Sequence, residues 1–184
     1  MNEIINNILT RRSIRKFKAE QIKDEELQLI LKAGQYAPSG MNAQSWHFTV
    51  VQNPTMLNKI NETAIKILAQ SKDSFLHERG NRKNYNFFHS APTLIIVSGD
   101  PQVLTPKENC ALALGNMFLA AHSLNIGSCW IYFIGAALNN DHSLLKELAV
   151  PDGYQIFGSG AFGYPAENLP SPAKRKENAI NIVS

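Results

Sequence analysis

The segment Thr93-Leu94-Ile95-Ile96-Val97, an apolar run between Pro92 and Gly99, most constrains what this chain can fold into. A strand with one face in water alternates polar and apolar residues, so a run without alternation must be covered on both faces, as in a central strand between helices. Residues 106–125 supply a matching cover. Ala111, Leu112, Leu114, Met117, Phe118 and Ala121 spread apolar surface over more than one helical face, which predicts a helix buried on several sides at the core or at an interface. With 184 residues, 44% of them hydrophobic and 18% charged, one domain can close around such a core.

The remaining elements follow from periodicity. Residues 2–10 carry Ile4, Ile5, Ile8 and Leu9 on one helical stripe that leads into Arg11-Arg12-Ser13-Ile14-Arg15-Lys16-Phe17. Asp24 is expected to cap a second helix through Leu27, Ile30 and Leu31, ending near Gly34 to Pro38. A polar loop over 39–45 precedes a strand, His47 to Val51, and Pro54 opens a helix containing Leu57, Ile60, Ile65 and Leu68. Residues 69–86 are polar and are expected to be irregular or partly helical. Cys129 to Ile134 reads as a strand, Asp141 caps a short helix through Leu148, and Tyr154 to Phe162 reads as a further strand. After Pro165 the composition shifts to a proline-punctuated tail with Lys174-Arg175-Lys176 and a β-prone Ile180 to Val183, an arm suited to packing on something else.

Composition excludes several classes. A net charge of +3 does not imply nucleic acid. No stretch approaches the ~20 apolar residues of a membrane span, and the N-terminal segment has no leader pattern, so a soluble cytoplasmic protein is expected. Cys110 and Cys129 lie in apolar surroundings without zinc spacing and read as buried free thiols, so no metal site is expected. Gly158-Ser159-Gly160-Ala161-Phe162-Gly163 satisfies GxGxxG, but Tyr164 and Pro165 follow where a helix start and a later acid would be needed. Its glycines instead suit a strand passing close to a neighbour.

Two segments carry chemistry. Arg11, Arg12, Ser13 and Arg15 gather three guanidinium groups and a hydroxyl, a set suited to phosphate but equally to a solvated basic turn. Ala37-Pro38-Ser39-Gly40-Met41-Asn42-Ala43-Gln44-Ser45-Trp46 offers amides that can match the donors and acceptors of a heterocycle edge, or can form an ordinary capped turn. Lys174-Arg175-Lys176 could join the first cluster around one phosphate. His89, between aromatic residues and the strand, reads as a packed or capping residue rather than a proton donor.

Taken in order, R-x-S-x-R-x-F followed by A-P-S-x-x-N-x-Q-x-W-x-F resembles the FMN-dependent nitroreductase family. The resemblance continues through Ser90-Ala91-Pro92, the helix with Ala113, Gly115, Asn116 and Met117, Gly127-Ser128-Cys129-Trp130, and Gly163-Tyr164-Pro165 before basic residues. It implies an α+β fold, a central mixed, mostly antiparallel sheet flanked by helices, as a single domain over residues 1–184. It also implies a homodimer that exchanges a C-terminal arm, about 166–184, and binds FMN at the interface. Arg11, Ser13 and Arg12 then match the phosphate segment, with Arg15 nearer the ribityl chain or pyrimidine edge. Pro38, Ser39, Asn42 and Gln44 match the loop that meets the flavin of the partner subunit. Asn86, in preference to Asn84, matches a ring-contacting amide. Ile134 and Gly135 match the segment facing the ring, where a backbone N–H reaches N5. Lys174 and Arg175 match the C-terminal basic pair, with Lys176 a rival. NADH or NADPH would donate electrons, in a ping-pong cycle, to a nitroaromatic, a quinone or a similar small acceptor. A dehydrogenase or dehalogenase of one metabolite and a flavin-binding module without turnover are the alternatives.

Overall fold

Residues 1–183 are described by the structure, a computed structural model. Its centre is an antiparallel sheet of β1 (Trp46–Val51), β2 (Thr93–Gly99), β3 (Gly127–Trp130) and β4 (Gln155–Gly163), in the order β1-β2-β4-β3. The expected parallel component is reduced to one bridge, Ser13 beside Ser128 at the β3 edge. As its unbroken apolar run requires, β2 is internal and buried at every residue. Its side chains alternate between two cores: Leu94 and Ile96 on one side, Ile95 and Val97 on the other.

Helices α2 (Asp24–Gln35) and α5 (Pro106–Ser123) cover the second core, while α3 (Pro54–Leu68), α6 (Phe133–Leu138) and α7 (His142–Glu147) cover the first. Short α1 (Glu3–Thr10) lies on α5, and α4 (Ser74–Gly80) packs on α3 inside the polar 69–86 stretch. Helix α5 crosses β4 closely enough to explain the GxGxxG segment. A Cβ on Gly158 would lie 2.7 Å from Leu114 Cδ1, and one on Gly160 would lie 2.8 Å from Phe118 Cε1. These glycines serve helix-on-strand packing.

Two local expectations are corrected. The cap of α2 is Lys23, whose backbone N–H donates to Glu26 Oε2 at 3.1 Å, so Asp24 is the first helical residue. The strand expected over 129–134 ends at Trp130, and the chain turns into α6 at Phe133. The apolar composition of 131–138 fits either state, and the bonds decide it: Ile131 N–H donates to Ser159 O, whereas Asn139 N–H already closes on Gly135 O. From Leu169 through Val183 the tail is exposed and forms no strand within its own chain.

Candidate functional site

The basic segment leaves α1 in an extended conformation, and extended backbone has period two. Arg11, Ser13 and Arg15 therefore share one face, while Arg12 and Ile14 take the other. Ile14 is buried, and its N–H donates to Ser128 O at 2.9 Å, which zips the segment to the β3 edge. Arg12 turns back on α1, donating from Nη1 to Leu9 O and Arg11 O at 2.8 Å each. A cation is favoured at a helix C-terminus, so Arg12 is taken up locally and separated from the other three. Cys129 lies on β3 beside this segment. Burial pushes that thiol up, while Arg15, Ser13 and Arg11 beside it pull the other way. The buried Ser128 Oγ has no partner among the described residues, leaving a donor or acceptor free next to this face.

Arg15 and Cys129 lead into a cleft of about 610 Å³. Trp130, Ile131 and Phe133 line it from the β3–α6 connection, as do Asn84 and His89 from the loop before β2. The side chain of Ile134 is fully buried in the core instead, and Gly135 packs near Ile156 O, so only their backbones remain for a ligand. Asn84 reaches the cleft with φ of 54°, whereas Asn86 is committed to its own turn, its Oδ1 accepting from Phe88 N–H at 3.1 Å and Ser90 N–H at 2.9 Å. Position and bonding both favour Asn84 over the expected Asn86. His89 and Ser90 are both held in the left-handed region, at φ of 59° and 55°. Burial, then the charge of Arg15, lowers the His89 pKa below its ordinary value, which keeps the ring neutral at pH 7.

The 37–46 loop lies elsewhere. Gly40 N–H donates to Asn109 Oδ1 at 2.9 Å, and Asn109 Nδ2 donates to Ser45 Oγ at 3.3 Å, which pins the loop to the N-terminal end of α5. Inside the loop, Gln44 N–H donates to Ser39 Oγ and Gln44 Nε2 to Asn42 Oδ1, both at 3.0 Å. Met41, Asn42 and Gln44 all have positive φ, and Met41 is 90% exposed, so a strained, outward-facing loop presents Pro38, Asn42 and Gln44 to solvent. Arg11 sits at the other end of α5, its guanidinium 5.8 Å from the Phe118 ring centre. From Asn109 to Phe118 the helix rises about 14 Å at ~1.5 Å per residue. The sheet agrees: the loop enters β1 at one edge and Ser13 lies on β3 at the other, roughly 14 Å apart at ~4.8 Å per strand. One chain does not bring the two segments together.

The tail begins beside the basic segment. Lys18 N–H donates to Tyr164 O and Ala166 N–H to Lys16 O, and Lys16 pairs with Glu167. Beyond that, Lys174 pairs with Glu177 at 2.8 Å, and Arg175 is exposed. Neither meets Arg11 or Ser13 within the chain.

Sequence reasoning missed the contribution of α4 and the turn after it. Phe75, Arg79, Arg82, Lys83 and Tyr85 all line the cleft. The pattern was present, as basic residues interleaved with aromatics, but no spacing says that such a segment folds over a cleft. Phe75 packs 6.0 Å from Phe133 and so ties α4 to α6.

The sequence profile of the Nitroreductase family matches residues 8–164. A crystal structure of a nitroreductase with bound FMN from Bacteroides fragilis superposes with a TM-score of 0.95 at 41% identity, covering 100% of both chains. An Archaeoglobus fulgidus protein provisionally assigned as an NADH dehydrogenase/NAD(P)H nitroreductase is 32% identical over 91% of this chain and 88% of its own. The iodotyrosine deiodinase of Thermotoga neapolitana is 28% identical over 78% of this chain and 84% of its own. With its antiparallel sheet between two helical layers and its cleft beside an R-x-S-x-R segment, the chain belongs to the nitroreductase family.

Proposed function

We propose that this protein is an FMN-dependent oxidoreductase that moves electrons from NADH or NADPH to a small flat acceptor such as a nitroaromatic or a quinone. The observation that carries the reading is the extended segment bridged to β3, whose period two puts Arg11, Ser13 and Arg15 on one face and whose Arg15 lines the cleft. Two guanidinium groups and a hydroxyl fit a phosphate monoester, and the unpartnered Ser128 Oγ beside them fits the same polar ligand. FMN, when bound, supplies the hydride and electron chemistry.

The side chains then have separate duties. Arg11 and Ser13 hold the phosphate, and Arg15 directs its charge at the ring edge, where negative charge develops on reduction. Asn84 supplies an amide to the ring edge. Trp130, Ile131 and Phe133 form an apolar wall that excludes water from the ring.

The site is completed by a second copy of the chain. Ile4, Ile5, Ile8 and Leu9 leave an apolar stripe on α1, with Ile4 69% exposed, and Leu112 of α5 is 47% exposed. A two-fold interface over these helices would bring the 38–44 loop of one chain to the arginine face of the other. The open edge of β1 offers backbone groups to the partner's Ile180–Val183 arm, which would bring Lys174 or Arg175 near the phosphate.

Purified protein should be yellow and release FMN on denaturation. NADH or NADPH should bleach it, and menadione or nitrofurazone should restore the colour. A protein unable to take up added FMN would defeat the proposal, and one that binds FMN but is never bleached would be a binding module. The deiodinase relative supports a second reading, reductive dehalogenation of one metabolite, which an anaerobic substrate screen separates from nitro reduction.

A further inference from the structure

Among the residues lining the cleft, Arg15, Arg79, Arg82 and Lys83 are cationic and none is acidic. The whole chain carries a net charge of only +3, so positive charge is concentrated here. None of these four cations forms a salt bridge among the described residues, where every ion pair lies elsewhere. Three of them come from α4 and the turn after it, not from the R-x-S-x-R segment. Arg79 lies 5.1 Å from the ring centre of Phe75 and 5.8 Å from that of Tyr85, and Arg82 lies 5.4 Å from that of Tyr85. Stacking on the rings orients each guanidinium while leaving its in-plane donors free, and Arg79 Nε is buried without a partner. A cleft of about 610 Å³ is roughly 8 Å across, about one Debye length at physiological ionic strength, so a ligand inside it feels all of these charges.

We infer that the acceptor reduced in this cleft is an aromatic molecule bearing an anionic group, a carboxylate or its equivalent, bound by Arg79, Arg82 and Lys83. The inference rests on the flavin reading above and narrows its substrate class. For a nitro acceptor, each two-electron turn consumes one NAD(P)H and one proton and breaks one N–O bond. Its products are the nitroso compound, NAD(P)⁺ and water.

The test uses FMN-loaded wild type and the Arg79→Gln/Arg82→Gln variant. Benzoate, which is not reduced, should perturb the absorbance of bound flavin at lower concentration than benzyl alcohol does, and salt should erode the difference. In the variant, kcat/KM for 4-nitrobenzoate should fall about tenfold further than for 4-nitrobenzyl alcohol, the scale of one charge-assisted contact. Equal losses for the two acceptors would overturn the inference. So would weakened FMN affinity matching the loss, which would assign these cations to the flavin phosphate. A loss confined to NADPH relative to NADH would assign them to the donor and overturn it too. Wild type that binds FMN and is bleached by NADPH, yet shows no preference for the anionic probes, overturns this inference alone. Failure to take up FMN overturns the flavin reading beneath it.

Discussion

If the two segments proposed to hold FMN act on one cofactor only across a dimer, two inactive variants should rescue each other. Consider Arg11→Ala/Arg15→Ala in one chain and Ser39→Ala/Asn42→Ala in another. Within a chain these segments stand about 14 Å apart by helix rise, at opposite ends of α5 and at opposite edges of the sheet, so one chain does not set them around a common pocket. Each homodimer lacks one half of both its sites. A mixed dimer pairs the two damaged halves in one site and the two intact halves in the other. Random exchange makes about half of the dimers mixed, each with one working site, so about a quarter of wild-type FMN binding should return. The assay is co-refolding or co-expression of the two variants, followed by flavin titration and NADPH oxidation with menadione. Recovery near zero, with exchange verified by mass-tagged chains, would refute the shared site. So would full FMN binding by either variant alone.

The two asparagines before β2 should separate. Asn86→Ala removes two acceptor contacts within its turn and should cost roughly 1–3 kcal/mol of stability, read as a lower urea midpoint. Asn84→Ala should leave the midpoint near wild type and weaken FMN binding. The reverse pattern would return Asn86 to the cleft. Tyr164 donates to Glu26 and, as the largest cause, holds that carboxyl below the usual carboxylate range. A depressed folded pKa means that the stabilisation is complete above the unfolded value, ~4.3, and is lost as pH falls through the folded one. The gap in melting temperature between wild type and Glu26→Gln should therefore close between neutral pH and pH 3; a pH-independent gap would count against the contact. At Gly34, where α2 meets α5, an added Cβ would crowd Met117 and sit 3.2 Å from Phe48 Cζ. Gly34→Ala should cost about 1–3 kcal/mol by overpacking, toward the lower end because Met117 can swing aside. A urea midpoint above wild type would contradict this.

What was legible in the sequence was local. The apolar run at 93–97 required an internal strand, the all-round apolar helix required burial, and Pro54 and Asp141 marked helix starts that the structure keeps, with the Asp141 side chain accepting from Leu144 N–H. The sequence grouped Arg12 with Arg11 and Ser13; only the extended state of the segment, with its period of two, turns Arg12 to the other face. Where apolar composition suits two states, as at 131–138, the structure decided: pairing with β4 stops at Ile131, and the bond from Asn139 N–H to Gly135 O closes a helix.

The site itself divides along the same line. Order and spacing of short motifs along the whole chain determined the family and, with it, the fold. Only the tertiary structure decided which residues share the cleft. Cys129, Asn84 and Arg79 meet through strand pairing, a left-handed turn and a helix packed on α3, contacts between parts of the chain that no local periodicity records. The separation across α5 and the sheet between the 11–15 segment and the 38–44 loop is of that kind as well, and it is the physical reason to look for the complete site between two chains.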